Sequence, residues 1–190
     1  MAWTTLGKRP RSAAGFSLPE FMITVAMFMT VAGITGVSFS TSMRAMKGTA
    51  AMQQVVSQIR LARNMAISQQ HSIELQFIPP NEIRTIRWEF PNGETTLNQY
   101  FLEGNAQFCF STTVPDTPDG FGLLGTNSFA GQTARFLPNG RFADAVGAVT
   151  SGNLFVAVPG QPQSQRAVTI FGGTGRVSGY NWNGTEWLAN

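Results

Sequence analysis

From Phe21 to Met43 the chain carries no charged side chain. A helix of about 23 residues, rising ~1.5 Å at each, is long enough to cross a ~30 Å hydrocarbon layer. Such a run must be hidden in lipid or against other protein, and that demand limits everything else the chain can be. Ahead of it, Met1 to Gly15 holds Lys8, Arg9 and Arg11 and no acid. Cations on that side hold the N-terminus in the cytoplasm and send the remainder outward. An ordinary secretory signal fits poorly, because the run exceeds a usual h-region and no small-x-small site follows before Arg44. A plain single-span protein that keeps its Met1 is the bland alternative.

Glu20 is the anomaly. A carboxylate at the edge of an apolar run is costly unless something pairs with it. Taken alone, a glutamate at the headgroup level facing water would account for it.

Gly15-Phe16-Ser17-Leu18-Pro19-Glu20 resembles the class III signal of type IV prepilins and type II secretion pseudopilins. The resemblance implies that a prepilin peptidase cuts after Gly15 on the cytoplasmic side and that the new N-terminal residue, Phe16, is N-methylated. Glu20 then becomes the fifth mature residue, the acid that members of this family keep. The new amine at Phe16 is a cation in the same apolar layer, and a buried acid paired with a buried amine relieves two desolvation costs. In the family that amine meets the acid of a neighbouring subunit and sets axial register during assembly. The implied location is the bacterial inner membrane, single-pass, with the C-terminal domain periplasmic, and then a pilus or pseudopilus.

Past Met43 the sequence turns amphipathic without a break. Met52, Val55, Val56, Ile59, Ala62, Arg63 and Met65-Ala66 recur at helical spacing, opposite Gln53, Gln54, Gln58 and Arg60. No proline falls between Pro19 and Pro79, so one helix is expected from about Ser17 to Gln70. Gly33 and Gly36 are its weak points, each costing roughly 1 kcal/mol against alanine. Local melting at Gly33-Ile34-Thr35-Gly36 during assembly and close helix packing through small residues are equal readings.

After His71 the period changes from 3.6 to 2. Ile73, Leu75 and Phe77 alternate with polar neighbours before Pro79-Pro80-Asn81, and Ile83 to Phe90 runs to a Pro91-Asn92-Gly93 turn. Strands are further expected at Thr95–Leu102, Gln107–Val114, Thr133–Leu137, Leu154–Val158, Arg166–Phe171 and Gly175–Tyr180, with loop from Pro115 to Ser128. The fold class is α+β: a long N-terminal helix packed on antiparallel β-sheet, a pilin-like ladle. The expected divisions are a leader at 1–15, a transmembrane and assembly half of the helix at 16–43, an amphipathic half at 44–70 and a β-rich domain at 71–190. Arg135-Phe136-Leu137-Pro138-Asn139-Gly140-Arg141 and Arg166 to Phe171 leading to Gly175-Arg176 resemble the GspH/FimT branch of minor pilins, which tends to an F-x-x-x-G turn and a final hairpin with Gly-Arg.

Catalytic chemistry finds no foothold. His71 is the only histidine and Cys109 the only cysteine. Cys109, in Phe108-Cys109-Phe110, reads as a buried small hydrophobe, and His71 as a helix-end residue. Ser/His/Asp catalysis has one histidine to draw on, no metal-ligand spacing occurs, and no cofactor is expected. Gly173-x-Gly175 is followed by Tyr180-Asn181-Trp182 rather than a helix, so it cannot cradle a phosphate as a dinucleotide loop does. The Asn183-Gly184-Thr185 sequon reads as chance.

The net charge of +3 invites a nucleic-acid reading. Three of the 13 cations lie in the leader, leaving 10 against 10 acids, so bulk charge carries no such message. Some FimT-like minor pilins bind DNA for natural transformation through a Gly-Arg motif with a second arginine two residues on. Here Arg176 matches the first and Ser178 stands at the second. With Arg166 and Arg141 as helpers, and Trp182 and Trp187 for stacking, DNA is the rival partner but not the favoured one. The leading expectation is a minor pilin or pseudopilin that helps initiate or cap a type IV pilus or type II secretion pseudopilus. Its partners are other pilins or pseudopilins met through the N-terminal helix, the prepilin peptidase, and the inner membrane before assembly.

Overall fold

The computed structural model describes residues 17–89, 93–111, 113–123, 125–129, 132–144 and 146–190, with the side chains of 35–41 and 44 left aside. Gly15, Phe16, the leader cations, the Pro91-Asn92 turn and the side chain of Thr35 therefore lie outside the described residues. The chain divides into two units, 1–40 and 41–190.

One helix, α1, covers Leu18–Gln69, close to the expected span. Its described part in the first unit is helix alone. In the second unit its buried side chains are Ala51, Met52, Val55, Ile59, Ala62 and Ala66. They step by one, three and four residues, the stripe that a 3.6-residue period lays along one face. Gln53 and Arg60 are exposed on the other side. The helix stops where Gln70 turns left-handed, at φ 56°, a C-terminal geometry that glycine or asparagine more often supplies.

Among the described residues nine strands follow: β1 Ile73–Ile78, β2 Glu82–Glu89, β3 Gly93–Phe101, β4 Thr133–Phe136, β5 Phe142–Ala143, β6 Gly152–Val156, β7 Arg166–Phe171, β8 Arg176–Trp182 and β9 Trp187–Ala189. They form two antiparallel sheets, ordered β3-β2-β1-β4-β5 and β6-β7-β8-β9. The α+β class is as expected. The strand expected at Gln107–Val114 is instead an irregular segment whose one β-bridge, among the described residues, is Gln107 to Ala157.

The main core joins α1 to both sheets: Val55 and Ile59 with Leu75, Phe77 and Phe136 from the first, and Leu154, Val168 and Ile170 from the second. Alternate residues of the second sheet turn away from α1. Phe155, Ala167, Tyr180 and Trp187 pack there with Val114, so the segment before and after Pro115 lies over the outer face of that sheet. On the first sheet, the buried Glu74 carboxylate accepts from Arg135 at 2.8 Å and from the Trp88 indole at 2.9 Å, while the Arg135 guanidinium lies 4.6 Å over the Trp88 ring. A buried acid is tolerable only with such partners.

Candidate assembly helix and basic face

Glu20 lies in the first turn of α1 and is exposed. Among the described residues it has no ion-pair partner, and its carbonyl accepts a bond from the Thr24 hydroxyl. Acid in a first turn is favoured by the helix dipole. Around and beyond it Leu18, Phe21, Met22, Ile23, Met27, Phe28, Met29, Val31 and Ile34 all stand more than half exposed. These positions go all the way round the helix, so no single face is polar. Among the described residues no helix is long and apolar enough to cross a membrane. The run from Phe21 is uncharged, yet Thr24, Thr30, Thr35 and Ser38 dilute it. Gly33 has open space where a Cβ would stand.

The three arginines named for DNA are not equivalent. Arg176 and Arg141 are exposed. Arg166 is 4% exposed. Its guanidinium donates to the Thr49 hydroxyl at 3.1 Å, the Ala45 carbonyl at 2.8 Å, and the carbonyls of Gln163 and Gln165. Burial pushes it below its ordinary pKa. Held by these four bonds, Arg166 ties β7 to α1 and, unlike Arg176 and Arg141, does not present its charge to solvent. Beside it Gly48 lets the helix backbone pass against Ser164, where any Cβ would strike the carbonyl.

Arg176 has different neighbours. With Arg60, Arg63 and Asn64 it lines a shallow depression beside Gly175 and Val177. Arg63 donates to the carbonyls of Gly140 and Thr174, each at 3.0 Å. Gly140 and Gly175 both sit at positive φ, 76° and 64°, where other residues strain. A Cβ on Gly175 would collide with the Gly140 carbonyl, and one on Gly140 would come within 2.8 Å of Ile67. The two sequence patterns Phe136-x-x-x-Gly140 and Gly175-Arg176 thus meet at one helix residue. Their glycines are explained by packing.

Trp187 is buried, donates to the Pro115 carbonyl at 2.9 Å and meets Trp182 edge-on at 5.2 Å, so it is a core aromatic. Cys109 is half-buried with its thiol on the Ala157 carbonyl, and burial pushes the thiol pKa up, which disfavours the nucleophilic thiolate. His71 is exposed just past the helix end. The Asn183 side chain accepts from the backbone amides of Thr185 and Glu186 and closes a turn. Among the described residues no three His, Cys, Asp or Glu side chains gather to hold a metal.

In fold the chain is similar to the type IV minor pilin FimU of Pseudomonas aeruginosa, with a TM-score of 0.51 at 14% identity over 74% of this chain and 91% of that one. The minor pseudopilin EpsH from the type 2 secretion system of Vibrio cholerae follows at a TM-score of 0.48 and 15% identity, covering 75% of this chain and 97% of that one. No curated protein sequence matches the chain. The model of the family described as type II transport protein GspH matches residues 51–174, most of the second unit, and the chain therefore belongs to the GspH family, whose members are structural subunits and not enzymes.

Proposed function

We propose that this chain is a minor pilin or pseudopilin that assembles with other such subunits and helps initiate or cap a type IV pilus or type II secretion pseudopilus. Its precursor is cut between Gly15 and Phe16 and methylated at Phe16, waits in the inner membrane as a single-pass protein, and displays residues 44–190 on the periplasmic side. The observation that carries this reading is the first half of α1. Large apolar side chains are exposed on all sides of it, with one acid, Glu20, in its first turn. Unshielded apolar area favours association by roughly 25 cal/mol per Å² removed from water. A lone carboxylate among those side chains selects a partner that brings a cation. The amine of a trimmed Phe16 on a neighbouring subunit is such a cation.

Mass spectrometry of the cellular protein tests the processing. The expected mature mass begins at Phe16 and includes one added methyl group, and an intact Met1 in cells with an active prepilin peptidase refutes it. Replacing Glu20 with leucine tests assembly. The β domain should fold as before while incorporation into filaments is lost, and undiminished incorporation would sink the pairing.

A further inference from the structure

The loop over the outer face of the second sheet contains oxygen atoms that the assembly reading does not use. Asp116 accepts from the backbone amides of Thr117 and Gly122. Asp119 takes the hydroxyls of Thr169 and Tyr180 on one carboxylate oxygen, Oδ2, and among the described residues its Oδ1 has no partner. Burial, then this bond and the Asp119 charge, push Tyr180 above its ordinary pKa, with Arg176 opposing. Asn153 stands directly across from Thr169 in the ladder between β6 and β7, and its side-chain amide donates to the Gly122 carbonyl at 2.8 Å. Asn153 therefore reaches the loop at Gly122, the residue whose amide Asp116 accepts.

Two further oxygens here are buried and, among the described residues, without a hydrogen-bond partner: Thr117 is 3% exposed and Asn153 0% exposed, and the atoms are Thr117 Oγ1 and Asn153 Oδ1. Buried polar atoms are almost always satisfied, and an exception points to strain, water or an ion as its explanation. The Asn153 orientation is settled by its other end, since the amide nitrogen is the atom that can donate to Gly122.

We propose that Asp116, Thr117, Asp119 and Asn153 form a binding site for a hard divalent cation of the calcium kind. The donors are all oxygens. Two carboxylates balance the charge of +2, and neutral amide and hydroxyl oxygens fill further positions, as calcium accepts. The set has no thiolate or imidazole, so zinc and copper are disfavoured. Magnesium, which demands a near-ideal octahedron, suits a loop donor set less well. Binding would pin the Asp116–Gly122 loop to β6, β7 and β8, a role separate from helix assembly.

The test is thermal unfolding of the full chain in detergent, after chelation, with and without about 5 mM calcium chloride. That concentration fills even a weak extracellular-type site, which binds in the range of roughly 10⁻⁴–10⁻³ M. Calcium should raise the midpoint by about 3–6 °C, and magnesium at the same concentration should not. Asp119→Asn and Thr117→Val should each abolish the rise. Without metal, Thr117→Val should melt no lower than the wild type, since it removes an unsatisfied hydroxyl without changing shape. It keeps the test decisive should Asp119→Asn fail to fold. No calcium response in the wild-type chain, an equal response to magnesium, or a response that Thr117→Val retains in full overturns the proposal and leaves buried water as the partner of these oxygens.

Discussion

The two ends of α1 use the same backbone bonding and reach opposite solutions for their apolar side chains. Between Ala51 and Ala66 one stripe is hidden against two sheets, with Met52, Val55, Ile59, Ala62 and Ala66 at 0% exposure. Between Leu18 and Ile34 the large side chains project all round, Phe28 at 77%. Helical propensity alone stabilises neither half much, because isolated helices are marginal and packing supplies the rest. The C-terminal half finds its packing inside the chain. The N-terminal half has to find it elsewhere.

That contrast can be broken or sharpened by substitution. The largest effect on folding is expected for Ile59→Ala, which opens a cavity where α1 meets the core and should cost about 3 kcal/mol in denaturant unfolding. Gly48→Ala should cost about 2 kcal/mol in the same assay despite alanine's better propensity, because the Ser164 backbone cannot move aside as a side-chain tip can. Arg166→Met should cost roughly 1–2 kcal/mol by leaving the Gln163 carbonyl without its donor and removing one of the bonds to the carbonyls of Ala45 and Gln165. Phe28→Ala should change folding by less than about 0.5 kcal/mol, while reducing recovery of the protein in sheared filaments. Should Phe28→Ala unfold the β domain, or Ile59→Ala leave its stability unchanged, the division of labour along the helix is wrong.

Much of this was legible in residue order. The stripe from Met52 to Ala66 announces a helix because five positions agree on one period. The strands β1, β2, β7 and β8 are legible for the same reason with a period of two. The Gln107–Val114 segment has that alternation too, but for another cause. Phe108 drops into the core beneath the sheets, while Phe110 and Val114 join the cluster on the outer face. Its backbone partners are scattered, Phe108 bonding to Pro80 and Gln107 to Ala157. Alternating burial without a neighbouring ladder is not a strand. The two short strands β5 and β9, of two and three residues, carry too few positions to show any period. Division into two sheets is a matter of pairing, which composition does not encode.

The site was legible unevenly. Glu20 stands out because its surroundings make it costly. Arg166 deceives, since an arginine in a strand looks like a surface charge until a helix 121 residues away in sequence presents a carbonyl to it. The oxygens of Thr117 in the loop and of Asn153 in β6 give no local signal at all, because burial without a partner among the described residues is a property of three-dimensional packing.

Arg63 has a mechanical consequence. Its guanidinium grips the turn after β4 through Gly140 and the turn before β8 through Thr174, so one helix residue is bolted to both sheets. A tug along the helix axis, of the kind a growing filament exerts, would load the sheets side by side rather than one after the other. Shared loading of that kind raises the force needed to peel the domain from its stalk without adding a single residue to the interface.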